Sequence, residues 1–289
     1  MDHSLVIAVI GPGAMAEAII GGLLRNNLTT GDRIVISGPE LDHNQELQAR
    51  YGVKALWDNK LAVSQADVVI LSVKPQILPR VLAGLKGHVP SKAVVISIVA
   101  GASIQMIRDG LEHDSVVRSM PNTPAQIGEG ITVWTNSPAV TSEQMETARQ
   151  VLSALGSEVY VEEESYLDMA TALSGTGPAY TFLFMEAMID AGVHLGFPRR
   201  IAEQLVVQTV RGSVDYYISK QAHPARLRNE VTSPGGTSAA ALYYLEKAGF
   251  RTAISRAIWA AYERSQELGK GKDAKPPESK NSENGGSKH

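Results

Sequence analysis

Apolar residues in the first half of the chain fall into short, nearly unbroken runs, with stretches of helical period between them. The runs at 5–10, 33–37, 53–55, 66–73, 93–99, 116–120, 131–134 and 158–161 predict strands. The run 66–73 is apolar at all but Asp67 and Ser72, as expected when helices cover both faces of a parallel sheet. Residues 14–26, 42–51 and 143–155 predict helices, the last entered through Thr141-x-x-Gln144 with capping-box spacing. Strands alternating with helices in this way indicate an α/β fold, a doubly wound sheet.

After the acidic run Glu162, Glu163 and Glu164 the pattern changes, and everything from Ser165 reads as helix. The segments are 166–195, with a break signalled at Gly177-Pro178, then 198–218, 224–229, 237–248 and 252–268. Pro198 and Pro224 suit first-turn positions, where the missing N–H costs nothing. This places a boundary near residue 163 and divides the chain into an α/β unit at 1–163, a helical unit at 164–268 and a tail at 269–289. The tail has no large apolar residue and is expected to be disordered, because it buries too little surface to offset its ordering entropy.

With 44% hydrophobic and 20% charged residues, the 289-residue chain has the balance of a soluble protein. A net charge of −3 gives no general attraction to nucleic acid or anionic membrane. No stretch approaches the roughly 20 apolar residues of a membrane span. The absence of cysteine excludes disulfides, thiolate nucleophiles and cysteine-ligated zinc, and it fits a reducing compartment such as the cytoplasm. The seven histidines form no metal-binding spacing, so no metal site is expected.

Chemistry enters at the end of the first strand. Gly11-Pro12-Gly13-Ala14-Met15-Ala16 carries the G-x-G-x-x-G/A spacing between a strand and a helix, the context this dinucleotide fingerprint requires. Gly11 allows the tight turn, Gly13 admits a pyrophosphate, and the helix start that follows favours its charge. The second strand ends at Ser37, Gly38 and Pro39 with no acid before Glu40, which favours NADP over NAD. No arginine follows directly to settle that choice. Two proline-fixed loops, Val73-Lys74-Pro75-Gln76 and Met120-Pro121-Asn122-Thr123-Pro124, should lie at the carboxyl edge of the sheet, where Lys74 or Asn122 would reach nicotinamide or substrate.

These motifs are followed by Ser174-Gly175-Thr176-Gly177-Pro178-Ala179-Tyr180 and Val231-Thr232-Ser233-Pro234-Gly235-Gly236-Thr237. In that order, over residues 5–268, the set resembles the pyrroline-5-carboxylate reductase family. The resemblance implies an N-terminal Rossmann domain and a C-terminal all-α dimerisation domain that interlocks with a second copy of the chain. It implies reduction of the cyclic imine 1-pyrroline-5-carboxylate to L-proline, the last step of proline biosynthesis, with NADP or alternatively NAD. It also implies that Ser37 and Asn59 contact the adenosine 2′-phosphate end. The family's substrate loop ends in a threonine that hydrogen-bonds the substrate nitrogen, and here that position is Ser238, which keeps the hydroxyl and loses the methyl restraining its rotamer.

The chemistry suits these residues. A protonated imine already accepts hydride well, so an enzyme must chiefly position it. Ser233, Pro234, Gly235, Gly236, Thr237 and Ser238 form a glycine loop opening a helix, where free N–H groups favour the substrate carboxylate. Ser238 is the expected catalytic hydroxyl, while 174–180 reads mainly as helix packing. A β-hydroxyacid dehydrogenase would carry a lysine in the first long helix after the boundary, and none lies between Ser165 and Phe197. A reductase of a related imine and a nucleotide-binding paralogue without turnover are the remaining alternatives.

Overall fold

The structure, a computed structural model, describes residues 5–269. The expected disordered tail therefore lies outside the described residues, apart from Gly269, which ends the last helix.

The apolar runs become β1 (Ile7–Ile10), β2 (Ile34–Ser37), β3 (Lys54–Leu56), β4 (Val68–Leu71), β5 (Val94–Ser97), β6 (Val116–Met120), β7 (Gly130–Asn136) and β8 (Gly156–Tyr160). They form one sheet in the order β3-β2-β1-β4-β5-β6-β7-β8. Pairing is parallel throughout except between β6 and β7. The chain leaves β3 and crosses to β4 on the other side of β1, so a crevice opens at the carboxyl ends of β1 and β4.

Each face of the sheet has its own core. Helices α1 (Ala14–Arg25), α2 (Leu41–Tyr51) and α6 (Ser142–Ser153) cover one face through Ile19, Leu47 and Val151. Helices α3 (Asn59–Val63), α4 (Leu78–Leu85) and α5 (Ile104–Leu111) cover the other through Val63, Leu82 and Ile107. These last three were not among the predicted helices; at five to eight residues they are too short to show a sustained helical period. The capping box of α6 forms as its spacing predicts, with Thr141 and Gln144 reciprocally bonded.

The remaining elements are α7 (Tyr166–Ala170), α8 (Gly177–His194), α9 (Arg199–Lys220), α10 (Pro224–Glu230), α11 (Thr237–Lys247) and α12 (Phe250–Gly269). The long helix expected at 166–195 is interrupted by a π turn at Thr171–Gly175, so the break precedes Pro178 instead of falling on it. Pro198 caps α9 from outside instead of occupying its first turn, whereas Pro224 does open α10. Helix α7 packs against β6 and β7 and the π turn packs on α7, with Leu167 and Ala172 buried. The last turns of α12 return to the same place.

Helices α8 to α11 differ in kind. Among them only Ala202 and Val206, both on α9, are buried. Phe182 and Leu183 are 63% and 65% exposed and Leu195 is 81% exposed. Burying such a side chain is worth about 1.5–3 kcal/mol, and an apolar surface of this extent marks an interface.

Candidate active site

The turn after β1 is built around Gly11, whose φ of +85° is unfavourable for any residue with a side chain. Its N–H donates to the Ser37 carbonyl at 2.9 Å, and its own carbonyl accepts from Ser72 Oγ at 2.6 Å. A Cβ here would lie 2.5 Å from Val73 Cγ1 and 3.0 Å from the Val73 nitrogen. Pro12 is buried, and its carbonyl accepts from His43 Nε2 at 2.7 Å. Gly13 has the opposite surroundings: a Cβ on it would meet nothing within 4 Å. It caps α1 without any side-chain hydrogen bond, beside exposed Ala14 and half-buried Met15. Ala16 is fully buried against the sheet. An uncapped helix start beside an unfilled glycine position fits the pyrophosphate of a dinucleotide.

A groove of about 630 Å³ continues from this turn, and Gly11, Ser37, Asn59 and Val73 line it together. Ser37 is fully buried and donates its hydroxyl to Asn59 Oδ1 at 2.7 Å. The pair therefore presents the Asn59 amide nitrogen, which has no hydrogen-bond partner among the described residues. Trp57, Lys60 and Arg80, which sequence reasoning passed over, line the same groove. Asp58 is the one acid in that lining, and its Oδ1 accepts from the Lys60 N–H at 2.8 Å as the cap of α3.

The two proline loops behave differently from each other. Lys74 and Pro75 leave β4 in a turn closed by the Ile77 N–H on the Lys74 carbonyl, and the Lys74 side chain is exposed and makes no ion pair among the described residues. Asn122 has both ends of its amide engaged within the chain. Its Oδ1 accepts from the Ile131 N–H at 2.9 Å, and its Nδ2 donates to the Ser174 carbonyl at 3.2 Å. Buried loop backbone must find partners, and Asn122 supplies them. The segment 174–180 is thereby fastened to the edge of the sheet, and the Tyr180 hydroxyl donates to the Ala172 carbonyl at 3.2 Å within the π turn.

The glycine loop after α10 turns at Gly235, with φ +74°. Gly236 is the N-cap of α11, again without a side-chain bond, and its own N–H donates to the Ser233 carbonyl at 3.0 Å. Thr237 and Ser238 form the first turn, and neither hydroxyl has a partner among the described residues. Pro234 is exposed beside them. None of residues 233–238 lines the groove at Gly11, Ser37 and Asn59, and α11 packs chiefly on α12. One chain thus gathers Gly11, Ser37, Asn59 and Val73 at one groove and holds residues 233–238 elsewhere. No group of three His, Cys, Asp or Glu placed to hold a metal ion occurs among the described residues.

Residues 164–268 match the family model described as pyrroline-5-carboxylate reductase dimerisation, and residues 6–101 match that of coenzyme F420-dependent NADP oxidoreductases. The chain is 43% identical over 267 residues to the pyrroline-5-carboxylate reductase of Synechocystis, covering 92% of this chain and 99% of that protein. It is 35% identical to the pea enzyme of the same name, covering 93% and 97%. Its structure superposes on the Plasmodium falciparum pyrroline carboxylate reductase, solved with NADP bound, with a TM-score of 0.85 at 30% identity over 92% of this chain and 99% of that one. The Coxiella burnetii pyrroline-5-carboxylate reductase gives 0.83 at 36% identity, over 92% and 98%. Fold, fingerprint and helical unit agree with these matches along nearly the whole described length, and the chain belongs to the pyrroline-5-carboxylate reductase family.

Proposed function

We propose that the protein reduces 1-pyrroline-5-carboxylate to L-proline, with NADPH as the preferred donor and NADH as the alternative, in the cytoplasm. The observation that carries the reading is the start of α11, an uncapped glycine entry with an unpaired hydroxyl one residue inside the helix. Its free N–H groups suit the substrate carboxylate, and the Ser238 hydroxyl then holds the ring nitrogen. The nicotinamide, when bound, supplies the hydride. The chain's own task is orientation: the carboxylate fixed at one end and the nitrogen at the other leave the imine carbon as the open electrophile. The nitrogen enters as a protonated imine and leaves as the ring amine, so no strong acid is required.

On this reading 1–163 holds the nucleotide, 164–268 holds the substrate, and Gly11, Pro12, Gly13, Ala14, Met15, Ser37, Asn59, Val73, Lys74, Pro75 and Asn122 bind or frame the cofactor. Because residues 233–238 stand apart from the chain's own groove, the working site is completed by interlocked helices of a second copy. Purified protein should oxidise NADPH only when the imine is present and yield proline. Ser238→Ala should lower kcat/KM by roughly tenfold to a hundredfold, the worth of one hydrogen bond to a charged group, with NADPH affinity unchanged. An unaltered kcat/KM would remove Ser238 from the chemistry, and turnover of a different cyclic imine but not this one would overturn the substrate.

A further inference from the structure

We infer that Arg80, assisted by Lys60, is the cationic receptor for the adenosine 2′-phosphate, and that Trp57 is the platform for the adenine ring. The inference rests on the cofactor reading above and names the residues of this chain that set its phosphate preference.

Nucleotide folds that take NADP replace the acid at the end of the second strand and bring an arginine near the 2′-position. Here β2 ends at Ser37 and Gly38 with no acid, but no arginine follows, and the Ser37 hydroxyl is already committed to Asn59. The end of β2 therefore presents one amide and no positive charge. The charge comes from the other face of the sheet. Lys60 stands in the first turn of α3 and Arg80 in the first turn of α4, two helices that pack on each other, and both side chains line the groove that contains Ser37 and Asn59. Both are exposed while lining it, so they stand on its open side.

Neither cation makes an ion pair with a carboxylate among the described residues, although the chain pairs many of its other arginines, among them Arg50, Arg108, Arg199 and Arg251. Asp58 opposes them, but it is held as the cap of α3, and the ionisable side chains of the lining keep a net positive charge. A guanidinium offers a forked set of donors that matches phosphate oxygens, which makes Arg80 the principal group and Lys60 a supporting point charge. Trp57 is 63% exposed and joins no aromatic pair among the described residues, while Val73, Ile77 and Val81 line the same groove with apolar surface. An indole face and an aliphatic wall suit a flat base.

The test is equilibrium binding to the full chain by calorimetry, with adenosine 2′,5′-bisphosphate and AMP as paired probes. Wild-type protein should prefer the bisphosphate. Arg80→Ala should reduce that preference by about tenfold or more, Lys60→Ala by less, and Arg80→Lys should retain part of it, with AMP binding unchanged in all three. Trp57→Ala should instead weaken both probes alike. In turnover, Arg80→Ala should raise KM for NADPH with kcat and the NADH parameters unaltered. A wild-type preference that survives both alanine substitutions overturns this inference alone. Equal binding of the two probes by the wild type overturns the NADP reading and this inference with it.

Discussion

Two glycines two residues apart do unlike work, and substitution should separate them. Gly11 is held by backbone geometry: its φ is +85° and a Cβ would strike Val73. Gly11→Ala is expected to cost about 2 kcal/mol or more, from the left-handed backbone and from displacement of the loop after β4, read as a lower urea midpoint. Gly13 has φ −87° and open space where a side chain would go. Serine is a good cap at such a position, so Gly13→Ser should leave the urea midpoint within about 0.5 kcal/mol of wild type while nucleotide binding is lost. A stable Gly11→Ala protein, or a Gly13→Ser protein that binds NADPH normally, would contradict this division. Both glycines were legible in the sequence because the fingerprint is contiguous. The burial of Ser37 and its bond to Asn59 were not, since they depend on a helix that begins 22 residues later.

Among the elements, a buried arginine ties the sheet to the helices that follow it. Arg118, on β6, donates to Glu164 Oε1 and to Asp168 Oδ1, each at 2.9 Å. Asp168 on α7 also accepts from Ser265 of α12 at 2.8 Å, and Glu164 accepts from the Ile104 N–H that opens α5 at 2.8 Å. Four elements and the segment between β8 and α7 thus meet on a residue that is only 5% exposed. Removing the guanidinium leaves two partly buried carboxylates facing each other. Arg118→Met is expected to destabilise by about 3 kcal/mol, measured as a urea midpoint, whereas Ser265→Ala, which removes a neutral partner, should cost about 1 kcal/mol. Equal effects would mean that the cluster is not held by the arginine. The third glutamate of the acidic run before Ser165 is a ligand of this join, and only packing reveals that.

At the scale of the whole molecule, α8 to α11 have no core of their own within one chain. Helices in proteins draw most of their stability from packing of an apolar face, so their order depends on a covering surface, and the dimerisation match over 164–268 points to another copy as that surface. Light scattering should give at least twice the mass of one chain. Leu183→Asp on α8 would place a charge in that interface at a cost of several kcal/mol. It should lower the mass to that of one chain and abolish proline formation, while binding of adenosine 2′,5′-bisphosphate survives, because the nucleotide groove lies within a single chain. An active single-chain species would refute the shared site.

What the sequence determined by itself is what contiguous residues can enforce. Strand runs record burial on both faces and glycine loops record backbone shape, so the fingerprint, the α11 loop and the order of the strands were readable, whereas the three short helices α3, α4 and α5 were not. What tertiary structure alone decided is which distant side chains meet. The crossover from β3 to β4 brings Lys60 and Arg80 to the groove at the end of β2, Arg118 finds partners 46 and 50 residues away, and Asn122 turns inward to hold Ser174. Local periodicity reports that a residue faces inward or outward. It carries no record of what arrives on the other side, because that is set by the path of the chain through the sheet.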